Sequence, residues 1–162
     1  MTKHLSWLMV AVLLSNGACV DEDDGRACTT MGCGPSTEVR LTPESGALAD
    51  GTYLITVDLD GDEIACSFSL PDDLPESGEA GYAECAGDGA IQAVLQPRAG
   101  ANNVIVELYI GAAPQELGIS VTRDNRSLLS RQLQPSYTTF YPNGPECGPG
   151  CPHADLSLTL GE

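Results

Sequence analysis

The chain has 162 residues, of which 23 are acidic and 7 are basic, and its formal net charge is −16. A charge of this sign argues against nucleic acid as a partner, because nucleic-acid binding needs a basic surface. It also argues against electrostatic docking to anionic lipid. Seven cysteines in a chain of this length are typical of an oxidising compartment. The length allows one domain with a sizeable core once a targeting segment is removed.

Residues 1–18 are predicted to be a signal peptide. Lys3 and His4 form a short positive region, and residues 5–14 are an apolar stretch too short to span a bilayer as a helix. Small residues then lead into Cys19. This arrangement resembles the bacterial lipobox, in which the cysteine is acylated and becomes the new amino terminus, although Asn16 stands where an apolar residue is usual. The alternative is an ordinary signal-peptidase cut that leaves Cys19 as a thiol in a secreted chain.

The number of cysteines favours lipidation of Cys19. If Cys19 carries lipid, six cysteines remain, an even number that suits three disulfides, whereas a free Cys19 would leave one unpaired in an exported protein. Residues 19–37 begin with the acidic run 21–24 and show no periodicity, so we expect a lipid-anchored, hydrated tether that holds the domain off the membrane. The alternative, a cation-binding tail, lacks a scaffold that would shape a site.

Residues 38–162 are predicted to be one all-β domain. Its clearest feature is residues 51–70, where two stretches of alternating apolar and polar residues flank Asp60-Gly61 and predict a hairpin. Similar short stretches recur at regular spacing, separated by turn residues. They predict an Ig-like or transthyretin-like β-sandwich of about eight or nine strands, stapled by disulfides. The alternating stretches cover residues 38–42, 53–59, 64–70, 82–85, 91–96, 104–110, 117–121, 129–133 and 154–160.

Six cysteines are predicted to form the disulfides. Cys66 lies on the hairpin and Cys85 follows the next loop, so a bridge between them would close that loop. The first and last strands each follow a cysteine and a proline, and if these strands lie side by side and parallel, their preceding cysteines face each other. The alternative is pairing within each chain end. The predicted terminal pairs are Cys33 with Cys151 and Cys28 with Cys147.

No catalytic or metal site is expected. After removal of the signal peptide His153 is the only histidine, and the chain has no nucleophile elbow and no zinc-protease motif, so we expect no enzyme. Cys147, Cys151 and His153 have a tolerable zinc spacing, but disulfides are favoured in an exported chain. The acidic run 58–63 superficially resembles a calcium loop, yet it lacks the Gly and Glu positions of that motif and straddles a turn. We expect no cofactor.

Residues 134–152 are rich in proline and aromatic residues. They contain five prolines, and the aromatic residues among them could form an exposed recognition patch for a protein or glycan ligand, since Tyr is favoured at interfaces. The alternative is a rigid lid over the open end of the core. The predicted binding loop consists of Tyr137, Phe140, Tyr141 and Asn143.

Residues 134–160 read P-S-Y…Y-P-N-G-P-E-C-G-P-x-C followed by an alternating strand. With the signal, the acidic tether and the C-G-P before the first strand, this run resembles envelope lipoproteins common in myxobacteria-type genomes. The resemblance covers most of the chain and implies an envelope location and a β-sandwich rather than an activity. We expect a non-catalytic binding or structural module held at the membrane by its lipid. The alternative is a secreted effector or inhibitor.

Overall fold

The computed structural model describes residues 33–74, 79–87, 89–97 and 104–161. The predicted signal peptide, Cys19, Cys28 and most of the predicted tether lie outside the described residues. Within them the regular structure consists of β-strands. This part of the chain has no helix of the length and apolarity needed to cross a membrane.

The described residues form eleven strands, more than the eight or nine predicted. The predicted strand at residues 82–85 is two short strands, because the chain crosses there from one sheet to the other. A further short strand interrupts the proline-rich segment. The strands are β1 (Ser36–Pro43), β2 (Gly51–Leu59), β3 (Asp62–Leu70), β4 (Gly81–Tyr82), β5 (Glu84–Cys85), β6 (Ile91–Pro97), β7 (Val104–Ile110), β8 (Leu117–Arg123), β9 (Arg126–Leu133), β10 (Thr138–Phe140) and β11 (Cys151–Leu160).

The strands form two sheets. The six-stranded sheet has the order β10-β11-β1-β7-β6-β4, and the five-stranded sheet has the order β5-β3-β2-β8-β9. The first and last long strands, β1 and β11, are adjacent and parallel, as predicted, with Ser36 opposite His153 and Pro43 opposite Leu160. The all-β class is therefore confirmed.

Both sheets contribute to one apolar core. Alternation along each strand places every second side chain inward, and the buried side chains of the two sheets belong to a single cluster. The rings of Tyr53 and Phe68 stack within it, with centroids 4.7 Å apart. The predicted hairpin is present, since Leu59 pairs with Asp62 and both turn residues have positive φ, 55° at Asp60 and 102° at Gly61.

Disulfides join Cys33 to Cys151 and Cys66 to Cys85, which are two of the predicted pairs. Cys147 is also disulfide-bonded, and its predicted partner lies outside the described residues. Structural disulfides of this kind form in oxidising compartments, so the protein belongs outside the cytoplasm.

The strands run between two ends of the molecule. The disulfide end contains Cys33, the loop at residues 111–116 and the segment at residues 134–150. The arginine end contains the loop at residues 44–50, the turn Asp124-Asn125 and Gly161. Because β1 has seven steps of about 3.3 Å each, the two ends are roughly 23 Å apart.

Candidate functional site

The structure brings all four residues of the predicted binding loop to the disulfide end, but in different environments. Phe140 is 58% exposed and Tyr141 is 41% exposed. Tyr137 and Asn143 are half-buried, and Asn143 already interacts with another group of the protein. Only the two exposed rings are therefore presented to solvent as a recognition patch would require.

Tyr137 connects the proline-rich segment to the six-stranded sheet. Its hydroxyl donates to the Pro114 carbonyl at 3.0 Å and lies 3.0 Å from Oγ1 of Thr37. Thr37 is fully buried and its hydroxyl donates to the Ala112 carbonyl at 2.9 Å. Buried hydroxyls of this kind need such partners, because an unsatisfied one costs about 1–3 kcal/mol. Tyr137 therefore holds the loop at residues 111–116 in place.

Phe140 and Tyr141 form a surface patch without a large cavity beneath it. Phe140 ends the edge strand β10, opposite Cys151. The ring of Tyr141 lies so close to Gly150 that a Cβ there would be 2.9 Å from Cε1 of the ring. The cavity beside Tyr141 has a volume of about 90 Å³, well below the roughly 300 Å³ at which small-molecule pockets begin.

A larger cavity lies at the arginine end. It has a volume of about 330 Å³ and is lined by the loop after β1, the start of β2, the residues on either side of the β8–β9 turn and the end of β11. Arg123 and Arg126 both line it, together with the apolar side chains of Leu48, Leu128 and Leu160. Its volume is in the lower part of the range of small-molecule sites.

The two arginines of this cavity are unusual in so acidic a chain. Arg123 and Arg126 pair directly across the β8–β9 hairpin, where like charges opposite each other destabilise a sheet. Of the other two arginines among the described residues, Arg40 forms a salt bridge of 2.8 Å with Glu107, and Arg131 lies further along β9. The arginine end therefore places two arginines against one cavity, although the same end also carries the acidic residues Glu44, Asp50 and Asp124.

Tyr53 lies in the wall of the same cavity as Arg123. The ring is 1% exposed, and its hydroxyl donates to the Ala49 carbonyl at 2.6 Å. Burial raises the pKa of Tyr53, while a hydrogen bond from Arg123 acts in the opposite direction. The hydroxyl is thus held by the Ala49 carbonyl, in the wall of the cavity that Arg123 also lines.

The backbone next to Arg123 requires a glycine. Gly51 has a φ of 143°, and a Cβ at that position would be 2.9 Å from Cγ of Arg123 and 2.5 Å from Oδ2 of Asp124. Asp124 in turn accepts a hydrogen bond of 3.0 Å from the Thr52 N–H through Oδ1. The close approach of the β8–β9 turn to the start of β2 depends on this missing side chain.

Two further grooves lie on the outer faces of the sheets. One, of about 400 Å³, includes Tyr82, Ser69 and Asp73, but Asp73 already accepts from the Ser69 N–H at 2.6 Å. The other, of about 300 Å³, is lined by the Arg40–Glu107 pair. Asp73 in the first groove and the Arg40–Glu107 pair in the second are thus bonded to neighbouring groups of the protein.

Ser36, His153 and Asp155 form a hydrogen-bonded chain on β1 and β11. Ser36 Oγ lies 2.8 Å from Nδ1 of His153, and Nε2 lies 3.2 Å from Oδ2 of Asp155. The residue types match a nucleophile, base and orienting acid, but the Asp155 side chain is 75% exposed, so its charge is strongly screened by water. The 300 Å³ groove includes Asp155 without the other two residues. We assign this chain of contacts to strand pairing.

Acidic residues of the predicted turn at 58–63 bind backbone groups. Asp58 accepts from the Gly61 N–H at 2.7 Å, and Asp60 accepts from the Glu116 N–H at 2.8 Å. No group of three or more His, Cys, Asp or Glu side chains within the described ranges could hold a metal ion.

Sequence reasoning missed the arginine end. The available signal was a pair of arginines three residues apart on either side of the Asp124-Asn125 turn, in a chain with seven basic residues. A hairpin over that turn places the two side chains on one face. Most of the rest of the cavity comes from residues 43–53, which are 70 or more residues away from Arg123 along the chain, and from the end of β11.

Comparison with known proteins gives no match. No protein-family model, no curated protein and no solved structure is significantly similar to the chain.

Proposed function

We propose that the protein is a non-catalytic binding module of the cell envelope, anchored by a lipid on Cys19. In this proposal its two sheets form an Ig-like or transthyretin-like β-sandwich. The part of the predicted tether, residues 19–37, that precedes Cys33 links the lipid to the domain, and the arginine end faces away from the membrane. The alternative from the sequence, a secreted effector or inhibitor, has the same domain without the lipid.

One observation carries the proposal. The disulfide between Cys33 and Cys151 fixes the first described residue to the start of β11, at the end opposite the 330 Å³ cavity. A tether that enters at Cys33 would leave that cavity roughly 23 Å further from the anchor, by the rise of β1. The cavity would then be accessible to ligands in the surrounding medium.

Cell fractionation tests the anchor. The wild-type protein should appear in the membrane fraction, and either Cys19→Ser or treatment with globomycin, which blocks lipoprotein signal peptidase, should change its processing or move it to the soluble fraction. Mass spectrometry of the mature protein should show the mass of acyl chains on Cys19. Cys66→Ser is the matched cysteine variant, and it should leave membrane association unchanged. A wild-type protein that fractionates as soluble, without acyl mass, contradicts anchoring and favours the secreted alternative.

A further inference from the structure

We propose that the arginine-end cavity binds a small ligand that carries a carboxylate next to an apolar group. The inference rests on the proposed role as a binding module, but it does not depend on the lipid anchor. The carboxylate is assigned to the Arg123 side of the cavity and the apolar group to its leucine side.

The charge arrangement is the first argument. Arg123 and Arg126 are opposite each other in the β8–β9 register and both line the cavity. A bound anion would reduce the repulsion that this pairing creates, in addition to the carboxylate of Asp124 in the turn, whose Oδ1 accepts from the Thr52 N–H. Arg126 is exposed and already interacts with another group of the protein, so Arg123 is the primary contact and Arg126 adds a second positive charge.

The position of Arg123 is the second argument. Arg123 and the buried Tyr53 line the same cavity, and the Arg123 stem packs over Gly51. A guanidinium has five N–H donors in a planar fork that matches a carboxylate. The packing over Gly51 restricts the motion of the Arg123 stem, which lowers the entropy lost on binding.

The leucines are the third argument. Leu48 is 5% exposed and Leu160 is 1% exposed, and both line the cavity together with the half-buried Leu128. These side chains give the cavity an apolar wall that water solvates poorly, so a ligand with an apolar group gains free energy there. A volume of about 330 Å³ suits a small acid or a chain terminus with one side chain rather than a polymer.

The overall charge favours a monoanion. At a net charge of −16 the protein repels a dianion more strongly than a carboxylate. Inorganic phosphate also lacks the apolar group that the leucine wall would bury. It is therefore expected to bind more weakly than a carboxylate with an apolar tail.

Calorimetric titration of the full-length mature chain tests the inference. The probes are hexanoate, 1-hexanol and inorganic phosphate, together with acetyl-Ala-Leu and its carboxyl-terminal amide. Hexanoate should bind at least tenfold more tightly than hexanol, because it adds charge-assisted hydrogen bonds. Tighter binding of acetyl-Ala-Leu than of hexanoate identifies a peptide carboxyl terminus as the source of the carboxylate. Tighter binding of hexanoate identifies a free acid.

Two variants locate the site. Arg123→Gln should weaken hexanoate binding about tenfold or more, and Arg126→Gln should weaken it by a smaller factor. Arg131→Gln is the matched control, since Arg131 lies on the same strand as Arg126, β9, but does not line the cavity. This variant should change the affinity for hexanoate less than twofold. Thermal unfolding and circular dichroism confirm that each variant is folded.

Three results would overturn the inference. They are equal affinities for hexanoate and hexanol, an Arg123→Gln variant that binds as well as Arg131→Gln, and no binding of either acid at millimolar concentration. The proposed function fails separately, because Arg123→Gln leaves membrane fractionation unchanged, while Cys19→Ser leaves hexanoate binding unchanged.

Discussion

The disulfide end and the arginine end share one stabilising contact, a tyrosine hydroxyl bonded to a loop carbonyl, and differ in most other contacts. At each end a tyrosine hydroxyl donates to a loop carbonyl: Tyr137 to Pro114 at 3.0 Å, and Tyr53 to Ala49 at 2.6 Å. The disulfide end adds a covalent link between the chain's two terminal strands. The arginine end relies on a tight turn and a glycine, and it leaves a cavity of about 330 Å³.

This difference separates structural from binding requirements. Proline, cysteine and a tyrosine–threonine contact fill the disulfide end, and the cavity beside Tyr141 is only about 90 Å³. At the arginine end Arg123 and Arg126 pair across the β8–β9 hairpin, and both line the cavity of about 330 Å³. A region that tolerates unfavourable charge pairing and empty volume is a stronger candidate for a ligand site than one with satisfied contacts.

Removing the covalent closure of the disulfide end should have the largest effect on stability. In the chain-entropy model, a link across 118 residues stabilises by about 5 kcal/mol. The variant replaces by serine the four terminal cysteines Cys28, Cys33, Cys147 and Cys151. We expect its free energy of unfolding, measured by urea titration, to fall by about 5 kcal/mol.

The control for this experiment is the double variant Cys66→Ser, Cys85→Ser. Its link spans 19 residues, so the same model gives a loss of about 3 kcal/mol. A larger loss for this pair than for the terminal cysteines would show that the disulfide end does not depend on its covalent closure.

Gly51→Ala should have the next largest effect and should act at the arginine end. An alanine there combines a φ of 143° with a clash against Asp124 and the stem of Arg123, so we expect a loss of about 2–3 kcal/mol. The displaced Arg123 should also weaken hexanoate binding. Both quantities are measured on the same purified protein, by urea unfolding and by calorimetry.

Gly46→Ala separates the effect of backbone strain from the effect of the clash. Gly46 lies in the same loop region with a φ of 86°, but a Cβ there meets nothing within 4 Å. We expect Gly46→Ala to lower the free energy of unfolding by about 1 kcal/mol through backbone strain alone, with little effect on hexanoate binding. Equal losses at the two glycines would mean that the contact between Gly51 and the β8–β9 turn is unimportant.

The sequence predicted those features that local pattern determines. The Asp60-Gly61 hairpin follows from alternation around a turn. The Cys33–Cys151 disulfide joins residues 118 apart and was predicted from a supposed parallel arrangement of the terminal strands rather than from local pattern, which left Cys66 and Cys85 as a pair. The split of residues 82–85 into β4 and β5 was not predicted, because a change of sheet leaves no mark in a four-residue stretch.

The candidate site was harder to predict than the fold. The aromatic residues of the predicted loop are conspicuous in the sequence, yet Tyr137 has its hydroxyl bonded inside the protein. Arg123 and Arg126 are less conspicuous, and their cavity exists only because the loop at residues 44–50 and the end of β11 reach the same place. Contacts between distant segments of this kind have no periodicity to reveal them. Lipidation of Cys19 stays a prediction.

Alkaline pH should have the smallest effect on the free energy of unfolding. Its effect should distinguish Tyr53, which is buried at the arginine end, from Tyr109 on the outer face of the six-stranded sheet. Burial raises the pKa of Tyr53 above its ordinary value of 10.0, so the folded protein holds that proton more tightly than the unfolded chain does. The stability that results is present in full below pH 10 and is lost as the pH rises through the folded-state pKa. Tyr53→Phe should cost about 1 kcal/mol at pH 8 through the lost hydrogen bond.

The same variant should flatten the decline of stability above pH 10, measured by urea unfolding between pH 8 and pH 11.5. Tyr109→Phe is the control: a hydrogen bond to Glu107 is the main cause that raises the pKa of Tyr109, whose hydroxyl donates to that carboxylate at 2.9 Å. Tyr109 is half-buried on the outer face of the six-stranded sheet, whereas Tyr53 is buried in the core, so the variant should change the slope less than Tyr53→Phe. If the two variants give the same slope, the Tyr53 hydroxyl is not buried against Ala49 and Arg123, and the support it gives to the arginine end is absent.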